Sequence, residues 1–221
     1  MDDLLKLYHI KISEADPAPN ELSPGRLKRI ETCKSERGKR ELKAAGVLLN
    51  KVLLENGRSE LVGTEPETGA AGRPYYPDSG FDFSLSHSGN YAVCAYTEAG
   101  RVGVDIEYID AGKASLRFAK RFFSRDEHDY LSKLDPNGKD LAAEFFKIWT
   151  AKEAFLKALG YGLTGAVDDF TVALGDLNSA TDDPAGRPEK PRIIQNRTEK
   201  NVSLRICTFA DEYILSTVLL H

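Results

Sequence analysis

The sequence predicts an α+β protein of two similar lobes, each with helices packed on a small, mainly antiparallel sheet. Three observations predict it. Apolar residues recur at three- and four-residue steps in two separated stretches, near 42–53 and 140–159. About three strand-like runs follow the helices in each half. Helices and strands therefore come in blocks, which favours two α+β lobes over one alternating βαβ sheet, although no residue-level repeat relates the halves.

Residues 4–12, with Leu5 and Leu7 set against Lys6 and Tyr8, read as an opening strand. ADPAPNELSPGR is a loop, and Ser23-Pro24 marks a helix entry. The helical region that follows carries Leu42, Ala45, Gly46, Leu49, Val52 and Leu53 at helical spacing until Asn56-Gly57 ends it. Residues 63–80, rich in Gly and Pro around Gly72-Arg73-Pro74, form an ordered loop. FDFSLS, YAVCAYT and RVGVDIEYI then form a compact antiparallel meander, with HSGN and EAG as its turns. After Asp110, ASLRFAKRFF and SRDEHDYLSKL are separate helices, the second capped by Ser124 with acids in its first turn. A longer helix runs from Asp140 to Leu159 and closes at Gly160-Tyr161-Gly162. Residues 175–191 are a polar loop, and strands at 168–174, 201–209 and 212–220 finish the chain. The lobes are placed at residues 1–106 and 107–221 of a single two-lobed unit.

The 221 residues, 41% apolar and 29% charged, suit a soluble globular protein with an adequate core. A net charge of −4 supplies no global field for a nucleic-acid or membrane partner. The local balance differs: between Arg26 and Arg58, ten Lys or Arg stand against four Glu. Such a surplus is either a solvated helix face or a site for an anionic ligand. Cys33, Cys94 and Cys207 show no paired spacing, which argues against structural zinc and against a disulfide framework, and favours reduced thiols in the cytoplasm. MDDLLKLYHIKI lacks an apolar run of signal-peptide length, and no segment approaches a membrane span.

Two constellations carry chemistry. In GVDIE, the period of a strand puts Asp105 and Glu107 on one face, about 7 Å apart. Like charges so placed repel, and one pKa rises unless a cation neutralises them; strand-end acids facing solvent are the plain alternative. In EFFKIWTAKEAFLKALG, Trp149, Glu153 and Lys157 share a helix face, where an ordinary surface pair would be worth a few tenths of a kcal/mol. Apolar residues ring that helix, however, and a buried charge needs a partner or a metal. With Glu153 as a third carboxylate the acids suit magnesium, with manganese tolerated, provided that all three converge on one point. Ser86 and His87 are strand neighbours on opposite faces and so form no nucleophile–base dyad, but both can donate hydrogen bonds to a phosphate.

FSLSHSG, then GVDIE, then RFFSRDE, then FFKIWTAKEAFLKALGYGL resemble the ordered motifs of the 4′-phosphopantetheinyl transferases of the surfactin (Sfp) type. Arg73-Pro74 resembles the basic-residue–proline step that precedes them, and together the motifs run from about Arg73 to Phe170. The resemblance implies two pseudo-symmetric lobes with coenzyme A and magnesium in the cleft between them. It implies that Asp105, Glu107 and Glu153 bind the metal, with Asp105 also among the residues at the cofactor. Lys157 is implied near the phosphates, Ser86 and His87 at the phosphates, and Arg73 near the nucleotide end. Arg40, or in its place Arg37 or Lys39, is a further candidate phosphate contact.

The implied reaction moves the phosphopantetheine arm of coenzyme A to a serine hydroxyl of an apo acyl or peptidyl carrier protein and releases 3′,5′-ADP. Glu153 would deprotonate the serine, and Lys157 would neutralise the pyrophosphate. The carrier would dock near ASLRFAKRFF, and the protein would work as a monomer. Two other readings stay open: a metal-dependent phosphatase or nucleotidase acting on coenzyme A, and a non-catalytic coenzyme A-binding protein.

Overall fold

A computed structural model describes residues 4–16, 21–69, 71–136, 138–161, 167, 169–174, 191–195 and 202–221. Its elements in chain order begin with β1 (Lys6–Lys11), α1 (Pro24–Thr32), α2 (Glu36–Glu55), β2 (Glu67–Thr68) and β3 (Pro74–Tyr75). The central strands are β4 (Asp82–Ser88), β5 (Tyr91–Thr97) and β6 (Arg101–Tyr108). Then come α3 (Leu116–Phe122), α4 (Arg125–Leu131), α5 (Lys139–Leu159), β7 (Phe170–Ala173), β8 (Arg192–Gln195), β9 (Val202–Phe209) and β10 (Tyr213–Leu220).

Local chemistry sets the helix ends. The basic region is two helices because Ser23 and Ser35 each accept a first-turn backbone N–H, from Arg26 and Gly38. Ser124 and Glu127 form a complete capping box at α4. Gly160, at φ +76°, terminates α5 in the left-handed conformation that a glycine adopts without penalty. Gly162 and the 175–190 loop lie outside the described residues.

Two three-stranded antiparallel sheets, ordered β1-β5-β4 and β6-β10-β9, face each other. Leu48, Val52 and Phe83 belong to the core between α2 and the first sheet, and Ile148, Phe155 and Val218 to that between α5 and the second. Val93 and Ala95 meet Val102, Val104, Ile106 and Leu215 in a third core between the sheets. The order of layers is helix, sheet, sheet, helix, so the predicted α+β pair of lobes is what the chain builds.

The meander is not. β5 has β1 on one edge and β4 on the other, which leaves no free edge for β6. β6 pairs instead with β10 along its whole length, Arg101 opposite Leu220 through Tyr108 opposite Tyr213. A boundary between residues 106 and 107 therefore falls inside a strand of the second sheet. The change of sheet comes at residues 98–100. The 63–80 loop also holds the short β2–β3 hairpin, and β8 pairs with β7 in a stretch left unassigned from sequence.

The edges of β4 and β6 meet without sharing a backbone ladder. The N–H groups of Val102, Val104, Ile106 and Tyr108 donate instead to side chains of Asp82 (2.8 Å), Ser84 (3.1 Å), Ser86 (3.4 Å) and Ser88 (3.1 Å). The offset is a constant twenty residues, so the strands run side by side in the same direction. Period two explains it: alternate β4 side chains point at β6 and supply acceptors where a strand would supply carbonyls.

Candidate active site

Asp105 and Glu107 lie on the face of β6 turned to α5, opposite the buried Val104 and Ile106. Gly103 sets how close α5 comes, because a Cβ there would stand 1.8 Å from the Ala154 carbonyl oxygen and 2.8 Å from the Ala158 nitrogen. That approach brings Lys157 Nζ to 2.7 Å from Asp105 Oδ1 and 3.1 Å from the Val104 carbonyl. Ser86 donates its hydroxyl to the same Asp105 oxygen at 2.7 Å, and Ser88 donates to Glu107 Oε2 at 2.8 Å.

The carboxylates press on one another. Burial, then the Asp105 charge, push Glu153 up to about 7, with Glu107 adding and Lys157 opposing. Burial likewise raises Glu107, against the Ser88 hydrogen bond and with Asp105 adding. The three do not form a ready-made cage: no three His, Cys, Asp or Glu side chains among the described residues are arranged to hold a metal. Without a cation, Asp105 Oδ1 is held by Lys157 and Glu107 Oε2 by Ser88. The donors still fit a hard divalent cation in kind. Asp105 Oδ2 and Glu153 Oε1 are both buried without a hydrogen-bond partner, which leaves two acid oxygens uncompensated.

The cation candidates divide. His87 lies beside Glu41 (Nδ1 to Oε2 3.8 Å), whose other oxygen accepts from Arg37 Nε at 2.7 Å. Burial, then Lys157 and Arg37, lower the His87 pKa against the Glu41 charge. Arg37 is raised chiefly by its Glu41 hydrogen bond, and Glu107 contributes, so this arginine belongs to the acidic end of the cleft. Arg40 is exposed and acts on Glu36 together with the Glu36–Lys39 pair (2.7 Å). Of the three basic residues considered, Arg37 is the one tied to the site. Arg73 turns inward. Its side chain is 12% exposed, and Nη2 binds Asp82 (2.6 Å) and the carbonyls of Phe83 and Val102. Its guanidinium ties the two sheets together, between Asp82 and Phe83 of β4 and Val102 of β6.

Sequence reasoning missed three residues. Glu41 stands four positions after Arg37, a readable pairing, but its link to His87 is long-range. Ser88 shares the period-two hydroxyl stripe of Ser84 and Ser86. Lys152, next to Glu153, is fully buried and pairs with the equally buried Glu127 at 2.9 Å.

Buried acids against a lysine, at a seam between two α+β lobes and beside a basic helix, define a site for a polyanion held with a cation. A family model for the 4′-phosphopantetheinyl transferase superfamily matches residues 101–218, more than half of the chain, which belongs to that superfamily. The transferase psf-1 of Bacillus pumilus is 40% identical over 116 residues, 52% of this chain and 48% of its own. Sfp of Bacillus subtilis (strain 168) is 39% identical over 105 residues, 47% and 44% of the two chains. HetI of Nostoc is 38% identical over 99 residues, 45% and 40%. This chain thus spans half or less of the length of these relatives. A holo-(acyl-carrier-protein) synthase from Bacillus anthracis, solved in complex with coenzyme A (3′,5′-ADP), overlaps 54% of this chain and 94% of its own, with a TM-score of 0.43 and 26% identity.

Proposed function

We propose that this chain transfers the 4′-phosphopantetheine arm of coenzyme A to a serine hydroxyl of an apo carrier protein. The observation that carries the reading is the pair of buried Asp105 with half-buried Lys157 beside a Glu153 raised to about 7, within the stretch the family model covers. In the reaction the serine oxygen attacks the phosphorus that bears the pantetheine, a new P–O bond forms, and the pyrophosphate P–O bond breaks. 3′,5′-ADP leaves. Glu153 accepts the serine proton, for which a pKa near neutrality is suited. Lys157, already within hydrogen-bond reach of Asp105, faces the leaving phosphate and offsets its charge.

Asp105, Glu107 and Glu153 would hold the divalent cation, magnesium or manganese, whose contribution when bound is to neutralise charge developing on the pyrophosphate. Binding substrate would draw Lys157 and His87 away from their present partners. Ser86 has its hydroxyl committed to Asp105 and the Ile106 N–H, so it reaches a phosphate only by leaving them. Arg37, rather than Arg40, supplies the N-terminal cation. The protein acts as a monomer in the cytoplasm, a reading supported by scattered exposed apolar residues and three free cysteines.

The test is incubation with magnesium, coenzyme A and a panel of apo acyl and peptidyl carriers, read by mass spectrometry. A mass gain of one phosphopantetheine arm on a carrier is expected. Release of phosphate or nucleotide from coenzyme A with no carrier modified would replace this reading with a hydrolase.

A further inference from the structure

Of the three β4 serines that accept β6 backbone N–H groups, two also donate to an acid of that strand. Ser84, 5% exposed, accepts only from Val104, with no carboxylate partner among the described residues. Ser88, 7% exposed, accepts from the Tyr108 N–H at 3.1 Å and at the same time donates to Glu107 Oε2 at 2.8 Å. A serine hydroxyl has one proton, and the backbone contact fixes where Ser88 can send it. The N–H of Tyr108 occupies a lone pair, so the hydroxyl proton is left aimed at the acid of the preceding residue. Glu107 is itself on a paired strand, next to the buried Ile106 and opposite the buried Ile214 of β10, which leaves its side-chain torsions as its remaining freedom.

We propose that Ser88 is a positioning residue for Glu107, holding one carboxylate oxygen so that the other is presented toward Asp105 and Glu153. The inference rests on the reading of these three acids as cation ligands. Hydrogen bonds to a ligating carboxylate orient it, and their loss typically weakens metal affinity 10–100-fold. Ser84 provides an internal control, because its removal costs the same kind of backbone acceptor without touching an acid.

The measurement is manganese affinity in the presence of coenzyme A, followed by the Mn²⁺ electron paramagnetic resonance signal, for wild type, Ser88→Ala, Ser84→Ala and Glu107→Gln, with melting temperatures alongside. Ser88→Ala should weaken binding at least tenfold, on the scale of losing a ligand's partner. Ser84→Ala should melt earlier by a similar amount yet bind manganese within about twofold of wild type, since it touches no ligand. Should Ser88→Ala not fold, Ser88→Cys, which keeps the volume but offers only a weak donor, carries the same expectation of weakened binding. Equal losses in the Ser84 and Ser88 variants, or unchanged binding in the folded Ser88 variant, overturn the positioning role. Wild type without bound manganese, or Glu107→Gln binding as tightly as wild type, overturns the cation-ligand reading itself.

Discussion

Glu153 is the residue whose surroundings most constrain its chemistry. Burial, Asp105 and Glu107 raise its pKa from 4.5 to about 7 in the folded chain. Between those values the folded chain retains a proton that the unfolded chain has lost. The stability contributed is therefore full below about 4.5 and declines as pH climbs to about 7. In metal-free protein Glu153→Gln should abolish that decline, so the variant should gain on wild type by about 1–3 kcal/mol between pH 5 and pH 8. Melting curves in chelator at the two pH values check it, and parallel losses would place the titration elsewhere. The same variant should lose at least ~100-fold in carrier modification, as should Lys157→Ala. Near-normal transfer by a folded Glu153→Gln protein would remove that residue from the chemistry. The acids and Lys157 were legible in the sequence because strand and helix periods fix which side chains share a face. The inward turn of Arg73 was not, because its partners Asp82 and Val102 are chosen by tertiary packing rather than by spacing.

At the level of elements, two contacts hold the site together from outside it. Gly103 leaves no room for a methyl group between β6 and the backbone of α5. Gly103→Ala must push the strand carrying Asp105 away from the helix carrying Glu153 and Lys157. Overpacking of this kind costs about 1–3 kcal/mol or more, and turnover should fall with it. The Lys152–Glu127 pair ties α5 to the start of α4 and to β7. Glu127 accepts from Lys152, from the Ser124 N–H at 2.7 Å and from the Val172 N–H, while Lys152 donates to the carbonyls of Val167 and Phe170. Removing one partner strands a buried charge, so Lys152→Ala should destabilise the fold by about 3–5 kcal/mol in denaturant titrations. A loss under about 1 kcal/mol would mean that water reaches the pair. Sequence patterning located α5 to within a residue and gave the α4 cap, since these depend on local rules. It did not single out Lys152, because burial of a lysine depends on what covers it.

The whole molecule is joined by a core and a seam that neither lobe can complete alone. Strand alternation in RVGVDIEYI was readable, but its sheet was not: the short EAG turn favours a hairpin with β5, and only the full set of pairings shows that both edges of β5 are taken. The consequence is cooperative. Val93 and Ala95 of the first sheet are wholly buried against Val102, Val104 and Ile106 of the second. Separating the lobes would bare that surface, leave four strand N–H groups without their acceptors, and strip Arg73 of the Val102 carbonyl. Water would take up the freed N–H groups, so the cost of separation lies mainly in the bared apolar core, at roughly 25 cal/mol per Å². Calorimetry should therefore show one unfolding transition for both lobes. Asp82→Ala, which unpairs both the Val102 N–H and the buried Arg73, should lower that single transition rather than split it. A fragment ending at residue 99 should show no cooperative melt and should bind a hydrophobic dye such as ANS. Two resolved transitions, or a fragment that melts sharply by itself, would make the seam a contact between independent domains instead of the element that builds the site.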